Sequence, residues 1–372
     1  MVRRILPFVL SGLAPAVALG QAQGQGAAQA QAQAPAPASR PAVSVATPVA
    51  RAVVDQLASA LERDFVYPET GARYGAMLRG NLAGGAYDAL AGKDLADRLT
   101  DDLQAVQPDG HLRVRFTADE APAATPHSAS VPRPAPIEQA RWISPDIAFV
   151  RYNLFTGDDD EVAATRAFMD THAGAKVLIF DLRTHRGGGL DEMDAILPWL
   201  FDKPTGLVRM ATRKSVAASG NSPLQGVPTL HEVAGDPAFV TQEHRVEPGA
   251  NPALRKARVY LLTSPRTASA GEHFTQAMKS TRRATIVGEA TAGANHFGYG
   301  LDLPNGFSTF VPVGRTFDPA TGKDWEGAGI APDIAVPARE ALATVLVREG
   351  VPRAQAQAVS DALMPAAPMT RR

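Results

Sequence analysis

Four short, uninterrupted apolar runs constrain this chain more than any other feature. They are "DIAFVRYNLF" (146–155), "KVLIFDLR" (176–183), "ARVYLLTS" (257–264) and "ATIVGEA" (284–290), and helical patterns such as "EVAATRAFMDTH" and "GEHFTQAMKS" separate them. Apolar runs of this length are typical of strands that are buried on both faces, and strands that alternate with helices favour a parallel sheet. The predicted fold class is therefore α/β.

The residues before this core have helical spacing. One helical face carries Val53, Val54, Leu57, Leu61 and Phe65, with Pro68 as a predicted stop, and "DLADRLTDDLQAV" repeats the spacing. We predict a small N-terminal helical domain over residues 49–117, a Pro- and Ala-rich linker over 118–138, an α/β core over 139–340, and a C-terminal helix and tail over 341–372. Within the core, residues 203–256 have weak periodicity and are predicted to be an excursion near one end of the sheet.

The N-terminus has the pattern of an export signal. "MVRR" is positively charged, and the apolar stretch that follows is interrupted by Pro15 and ends in small residues, which predicts a cleaved signal peptide over residues 1–20. Residues 21–48 are mostly Ala, Gln, Gly and Pro and are predicted to be a disordered tether. We therefore expect a bacterial protein that is exported to the periplasm or beyond, with no stable membrane insertion.

Composition excludes several function classes. The 372 residues carry a net charge of −1, which provides no basic field for nucleic acid. Because the chain has no cysteine, disulfides and thiolate metal ligands are excluded. The "HEVAG" stretch at 231 lacks the second histidine of a zinc helix. We expect no metal and no cofactor, and the oligomeric state does not follow from the sequence.

The stretch "TSPRTASAGEHF" (263–274) has two interpretations. Ser269 follows a predicted strand and stands at a helix start, where N–H groups and the helix dipole stabilise negative charge on oxygen. It can therefore be a nucleophile, with the N–H of Ala270 directed at an oxyanion. Equally, Ser269 and Glu272 match the Ser-x-x-Glu capping box, and the motif alone favours this second interpretation.

Two further loops carry candidate groups. "FDLRTHRGGGLDEM" ends a strand in three glycines, whose amides can approach an oxyanion closely, although a flexible turn explains the pattern equally well. "PDGHLRV" places His111 on a turn, and a nucleophilic serine needs a base such as histidine. The chain has eight histidines. Of these, His185 and His296 also lie in candidate active-site loops, and spacing alone does not choose among them.

Together with "GEATAGANHFGYG" and "VPVGRTFDPATGKDWEGAGIAPDI", these loops resemble the tail-specific (C-terminal processing) serine peptidase family. The likeness is greatest to its branch without a PDZ domain, which includes the tricorn core protease and the modules of interphotoreceptor retinoid-binding protein. It covers roughly residues 50–340. The resemblance implies a crotonase-like β/α core, with the nucleophile at a strand-to-helix turn.

The resemblance also implies roles for individual residues. Ser269 takes the position of the nucleophile, and the oxyanion hole is formed by the N–H of Ala270 with that of Gly187 or Gly188. Where many members have a lysine base, this chain has Ala294. The implied base is then His111, oriented by Glu326, although Gly110 replaces the serine that the tricorn core protease has before its histidine. His185 stands where the family has an asparagine.

The sequence is therefore compatible with two functions. The leading hypothesis is an exported serine peptidase that hydrolyses peptide bonds through an acyl-enzyme on Ser269. The alternative is a binding protein with a relict site for retinoid-like or other apolar ligands. The presence of Ser269, His111 and Glu326 together favours catalysis, because a carrier does not need all three.

Overall fold

The computed structural model describes residues 47–117 and 134–370, and Ser44–Arg372 form one compact unit. The predicted signal peptide, nearly all of the tether and most of the 118–138 linker lie outside the described residues. The α-helices are α1 Pro48–Asp64, α2 Pro68–Ala83, α3 Gly92–Val106, α4 Asp159–Thr171, α5 Asp191–Ile196, α6 Lys214–Ala218, α7 Ala270–Ser280, α8 Ala341–Arg348 and α9 Arg353–Ala362. The strands are β1 Val114–Phe116, β2 Ile137–Ser144, β3 Ile147–Tyr152, β4 Val177–Asp181, β5 Thr205–Arg213, β6 Leu230–Val233, β7 Phe239–Val246, β8 Arg258–Thr263, β9 Thr285–Gly288, β10 His296–Leu303, β11 Phe307–Phe317 and β12 Ile334–Ala335.

A mostly parallel sheet forms the centre of the fold. Its strand order is β12-β9-β8-β4-β3-β2, and only the edge pair β2–β3 is antiparallel. The four apolar runs of the sequence form β3, β4, β8 and β9. The prediction of an α/β fold with a largely parallel sheet is therefore confirmed.

Both faces of this sheet are covered, which explains the continuous apolar runs. Alternate residues of β4 face opposite ways: Phe180 packs with Phe274 of α7 on one side, and Ile179 packs with Leu342 of α8 on the other. Because helices cover both faces, every position of the central strands β3 and β4 is buried. The turns after β4 and β8 therefore follow strands that are packed on both faces.

A second, antiparallel sheet contains the 203–256 segment. Its order is β1-β11-β5-β7-β6, with β10 also paired to β11. The segment 203–256 supplies β5, β6 and β7, so it is a structured part of this sheet. Its strands mix buried and partly exposed positions without regular alternation, and this is why the periodicity is weak.

The N-terminal helices share their hydrophobic core with the antiparallel sheet. Val53 and Leu57 of α1 and Leu99 of α3 pack in one cluster with Leu303 of β10 and Val311 of β11. The first helix ends at Asp64, and Pro68 is the first residue of α2, where its missing N–H costs no hydrogen bond. Within the described residues, no helix is long and apolar enough to cross a membrane.

Candidate active site

Ser269 lies in an unusual backbone conformation between β8 and α7. Its φ is +54° and its ψ is −118°, a region that L-residues adopt only when the surrounding structure compensates for the strain. Its N–H is held twice, by the carbonyl of Ala294 at 3.1 Å and by Oε2 of Glu272 at 3.0 Å. The serine is therefore fixed at the helix N-terminus, as the sequence predicts.

The turn that carries Ser269 is bonded to the loop after β4. The Ser264 hydroxyl donates to the Arg183 carbonyl at 2.6 Å, and the Thr267 hydroxyl donates to the Leu182 carbonyl at 2.8 Å. In addition, the Ala268 N–H donates to the carbonyl of His185 at 3.1 Å. These three hydrogen bonds fix the position of the serine turn relative to the glycine loop.

Glu272 does more than cap α7. Besides the Ser269 N–H, its carboxylate accepts the Thr291 hydroxyl at 2.6 Å and the N–H groups of Gly293 and Ala294 at 2.7 and 2.8 Å. The side chain thus fastens the segment 291–294 to the start of α7. Burial raises the pKa of Glu272 to about 7, against the lowering effect of these donors.

This raised pKa predicts a pH-dependent stability. Because the folded protein holds the Glu272 proton more tightly than the unfolded chain does, the contribution of Glu272 to the free energy of unfolding falls as the pH rises from about 4.5 to about 7. We expect the free energy of unfolding of Glu272→Gln, relative to wild type, to increase over this range in urea titrations. If the free energy of unfolding of Glu272→Gln relative to wild type stays constant or decreases over this range, the raised pKa is contradicted.

The glycine loop after β4 packs closely against Ser269 and Phe155. A Cβ on Gly187 would lie 2.9 Å from Cβ of Ser269, and a Cβ on Gly188 would lie 1.7 Å from the Phe155 carbonyl oxygen. Both glycines have φ values near +120° (+122° and +125°), which other residues rarely adopt. The sequence therefore needs glycine at both positions.

His185 pins this loop from inside. Its Nδ1 accepts the Gly187 N–H at 3.2 Å, and its ring packs edge-on against Phe155. Burial lowers the pKa of His185 to about 3, so the ring is neutral at physiological pH. Its contacts are those of a structural residue.

Asp109 lies between the two imidazoles of His111 and His296. One oxygen accepts the backbone N–H groups of His111 and Leu112 at 2.8 and 3.2 Å and lies 4.0 Å from Nδ1 of His111. The other oxygen accepts Nδ1–H of His296 at 2.7 Å. Asp109 is 3% exposed. Its role did not emerge from the sequence, although it stands in the "PDGH" turn.

Glu326 contacts both segments through their backbones. Its carboxylate accepts the N–H of Asn295 at 2.7 Å and that of Gly110 at 3.5 Å, and it lies 3.9 Å from Nδ1 of His296. Burial raises the pKa of Glu326, with a further contribution from the charge of Asp109. Glu326 therefore contacts the turn of His111 through the backbone N–H of Gly110.

A cleft of about 580 Å³ brings the candidate groups together. Ser269, His111 and His296 all line it. Its apolar surface comes partly from the 203–256 segment, and the apolar residues that line it include Met210, Leu224, Val227, Phe297 and Phe310.

Two other histidines near α7 form a separate buried chain. His273 lies 2.8 Å from His244 (Nε2 to Nδ1), and His244 lies 2.8 Å from a carboxylate oxygen of Asp194. Burial lowers the pKa of His273. These rings bond to each other and to Asp194, so they do not compete for the role of base.

Among the described residues, Asp109, His296 and Glu326 are the group whose oxygen and nitrogen atoms have the spacing of metal ligands, all lying within 4.8 Å of one another. Asp109 and His296 are joined by a direct hydrogen bond of 2.7 Å, which leaves no space for a cation between those two atoms. The geometry is that of a hydrogen-bonded carboxylate–imidazole pair.

Comparison with known proteins identifies relatives. The sequence profile of peptidase family S41 matches residues 146–336, and that of the N-terminal domain of this family in eukaryotic IRBP matches residues 44–144. The chain is 26% identical, over 196 residues, to the chloroplastic carboxyl-terminal-processing peptidase 2 of Arabidopsis thaliana; the match covers 52% of this chain and 32% of that protein. The chain therefore spans about a third of the length of this Arabidopsis relative.

Two solved structures have a similar fold. The photosystem II D1 C-terminal processing protease matches with a TM-score of 0.51 and 17% identity, over 82% of this chain and 99% of the other. A candidate peptidase from Parabacteroides merdae matches with a TM-score of 0.55 and 18% identity, over 86% and 98% of the two chains. At these identities the likeness concerns the fold.

Proposed function

Because the chain belongs to peptidase family S41, we propose that it is a serine peptidase in which Ser269 forms the acyl-enzyme. The observation that carries this proposal is the placement of Ser269. It stands at the N-terminus of α7 in a constrained conformation and lines a cleft together with two imidazoles. Such a cleft supplies the nucleophile, base and substrate site that acyl transfer needs.

The oxyanion hole in this proposal uses the N–H of Ala270 and an N–H of the glycine loop. Ala270 is the first residue of α7, where backbone N–H groups and the helix dipole favour negative charge. Of the two glycines, Gly187 already donates its N–H to His185. Gly188 is therefore the better second donor.

The base is an imidazole of the cleft. The residue assigned from the sequence is His111, with Glu326 as the orienting acid. His111 lines the cleft, and Glu326 bonds to the neighbouring Gly110 and to Asn295. These contacts hold the turn of His111 through its backbone, and His111 and His296 are the two imidazoles of the cleft that can act as the base.

The substrate is a polypeptide. The apolar part of the cleft suits an apolar side chain next to the scissile bond, and the 203–256 segment supplies much of it. The Arabidopsis relative is named for carboxyl-terminal processing, and we extend that activity to this chain as part of the proposal. Export and cleavage of the signal peptide belong to the same proposal.

The rival is a carrier for apolar ligands, which the apolar cleft also suits. A carrier needs no reactive serine, so a fluorophosphonate probe separates the two functions. We expect wild type to be labelled and Ser269→Ala to be labelled at least about 10³-fold more slowly. Ser280→Ala is the matched control, because Ser280 is an exposed serine at the other end of the same helix. Equal labelling of wild type and Ser269→Ala would refute the proposed peptidase.

A further inference from the structure

His296 has the hydrogen bonding of a catalytic histidine. Its Nδ1 lies 2.7 Å from Oδ2 of Asp109, and both side chains are 2% exposed. A carboxylate can only accept a hydrogen bond, so Nδ1 carries the hydrogen. In the neutral ring, the lone pair is then on Nε2. Among the described residues, this buried Nε2 has no hydrogen-bond partner.

The segment that leads to His296 is hydrogen-bonded to Ser269 through its backbone. The Ser269 N–H donates to the carbonyl of Ala294 at 3.1 Å, and Glu272 binds the N–H of the same Ala294. His296 follows two residues later and lines the cleft with Ser269. The segment bonded to Ser269 thus places an imidazole at the same cleft.

The two imidazoles differ in their relation to Asp109. Nδ1 of His111 lies 4.0 Å from the carboxylate, whereas Nδ1 of His296 lies at 2.7 Å. The His111 side chain is 19% exposed, and His296 is more deeply buried. A carboxylate that accepts Nδ1–H orients an imidazole and stabilises its protonated form, which favours His296 as the general base.

Building on the proposed serine peptidase, we propose that His296, oriented by Asp109, is the general base in place of His111. The Ser269 hydroxyl proton moves to Nε2 of His296 as the bond from Oγ to the substrate carbonyl carbon forms. His296 then gives this proton to the leaving amine as the carbon–nitrogen bond breaks. Water then attacks the acyl carbon and gives a proton to Nε2 of His296. The bond from this carbon to Oγ breaks, Oγ takes up that proton, and the carboxylic acid product leaves.

If Asp109 and His296 only stabilise the fold, a different experimental result is expected. The His296 ring packs edge-on against Phe65 and Tyr67, and Asp109 holds the turn at His111. A pair with this role alone would join β10 to that turn. Its loss would lower stability and would leave the dependence of the rate on pH unchanged.

The dependence of the rate on pH follows from the charges around His296. Asp109, Glu326, Asp324 and Tyr67 face the ring, and Asp324 is paired with Arg315. Burial alone would lower the pKa of His296, but the hydrogen bond and charge of Asp109, together with Glu326 and Asp324, raise it above 6.5. As the base must be unprotonated, the rate falls as the pH drops through this raised pKa.

The experiment measures fluorophosphonate labelling rates between pH 5 and 9 for the full chain. We expect His296→Gln, which keeps a donor for Asp109, to lower the rate at pH 8 by about 10²-fold or more, and His111→Gln to lower it by less than tenfold. Asp109→Asn is expected to move the acid limb to lower pH. His231→Gln, at an exposed position on β6, is the matched control and should behave as wild type. Thermal unfolding shows whether each variant is folded.

The outcomes separate this inference from the proposed function. If Ser269→Ala is unlabelled while His296→Gln keeps the rate and pH profile of wild type, the peptidase stands and the assignment of His296 is wrong. If only His111→Gln lowers the labelling rate, His111 is the base and the assignment of His296 is wrong. If Asp109→Asn is folded and keeps the acid limb of wild type, Asp109 does not orient the base.

Discussion

Replacing Gly188 with alanine is expected to lower the labelling and peptidase rates by about 10²-fold or more, the effect of losing one oxyanion donor. The added Cβ would lie 1.7 Å from the Phe155 carbonyl oxygen, and the φ of +125° is one that alanine rarely adopts. The loop must therefore move away from Phe155, and its N–H moves with it.

The neighbouring glycine provides the control. At Gly189 the nearest atom to an added Cβ is a carboxylate oxygen of Asp191 at 3.1 Å, the end of a flexible side chain, and the φ of Gly189 is not in the positive range. We expect Gly189→Ala to change the labelling rate by less than tenfold. Similar rates for the two variants would show that the position of Gly188 does not matter for the reaction.

Replacing Asp181 with alanine is expected to lower the free energy of unfolding by about 3–5 kcal/mol. Asp181 ends β4 and is fully buried between two buried arginines, Arg151 and Arg183, each at 2.8 Å. Burial alone would raise the pKa of Asp181, but the charges of these arginines outweigh it and lower that pKa to about 2. Without the carboxylate, two buried cations lose this shared partner.

An exposed ion pair provides the control for this variant. Asp146 pairs with Lys176 at 3.0 Å, and both side chains are more than half exposed. Its replacement by alanine should cost less than about 1 kcal/mol. Urea unfolding followed by circular dichroism measures both variants, and equal losses would contradict the predicted role of the Asp181 network.

The sequence predicts the parallel sheet well and the antiparallel sheet poorly. Continuous apolar runs reveal strands that are covered on both faces, as in β4 and β8. The strands β5 and β7 have mixed burial without a regular alternation of buried and exposed positions. Their pairing depends on contacts that are distant in sequence, so local periodicity does not report it.

The sequence indicates candidate positions for the site but does not indicate the hydrogen bonds between them. The strand-to-helix turn indicates Ser269, and the glycines indicate the loop beside it. That Asp109 bonds to His296 depends on β1 and β10 both pairing with β11, which places side chains 187 residues apart at 2.7 Å. No spacing rule in the sequence expresses this contact.

The candidate catalytic groups come from two different sheets. Ser269 and the glycine loop follow strands of the parallel sheet, whereas His111, His296 and Glu326 belong to segments that adjoin the antiparallel sheet. The proposed chemistry therefore depends on groups from both sheets, and neither sheet supplies all of them.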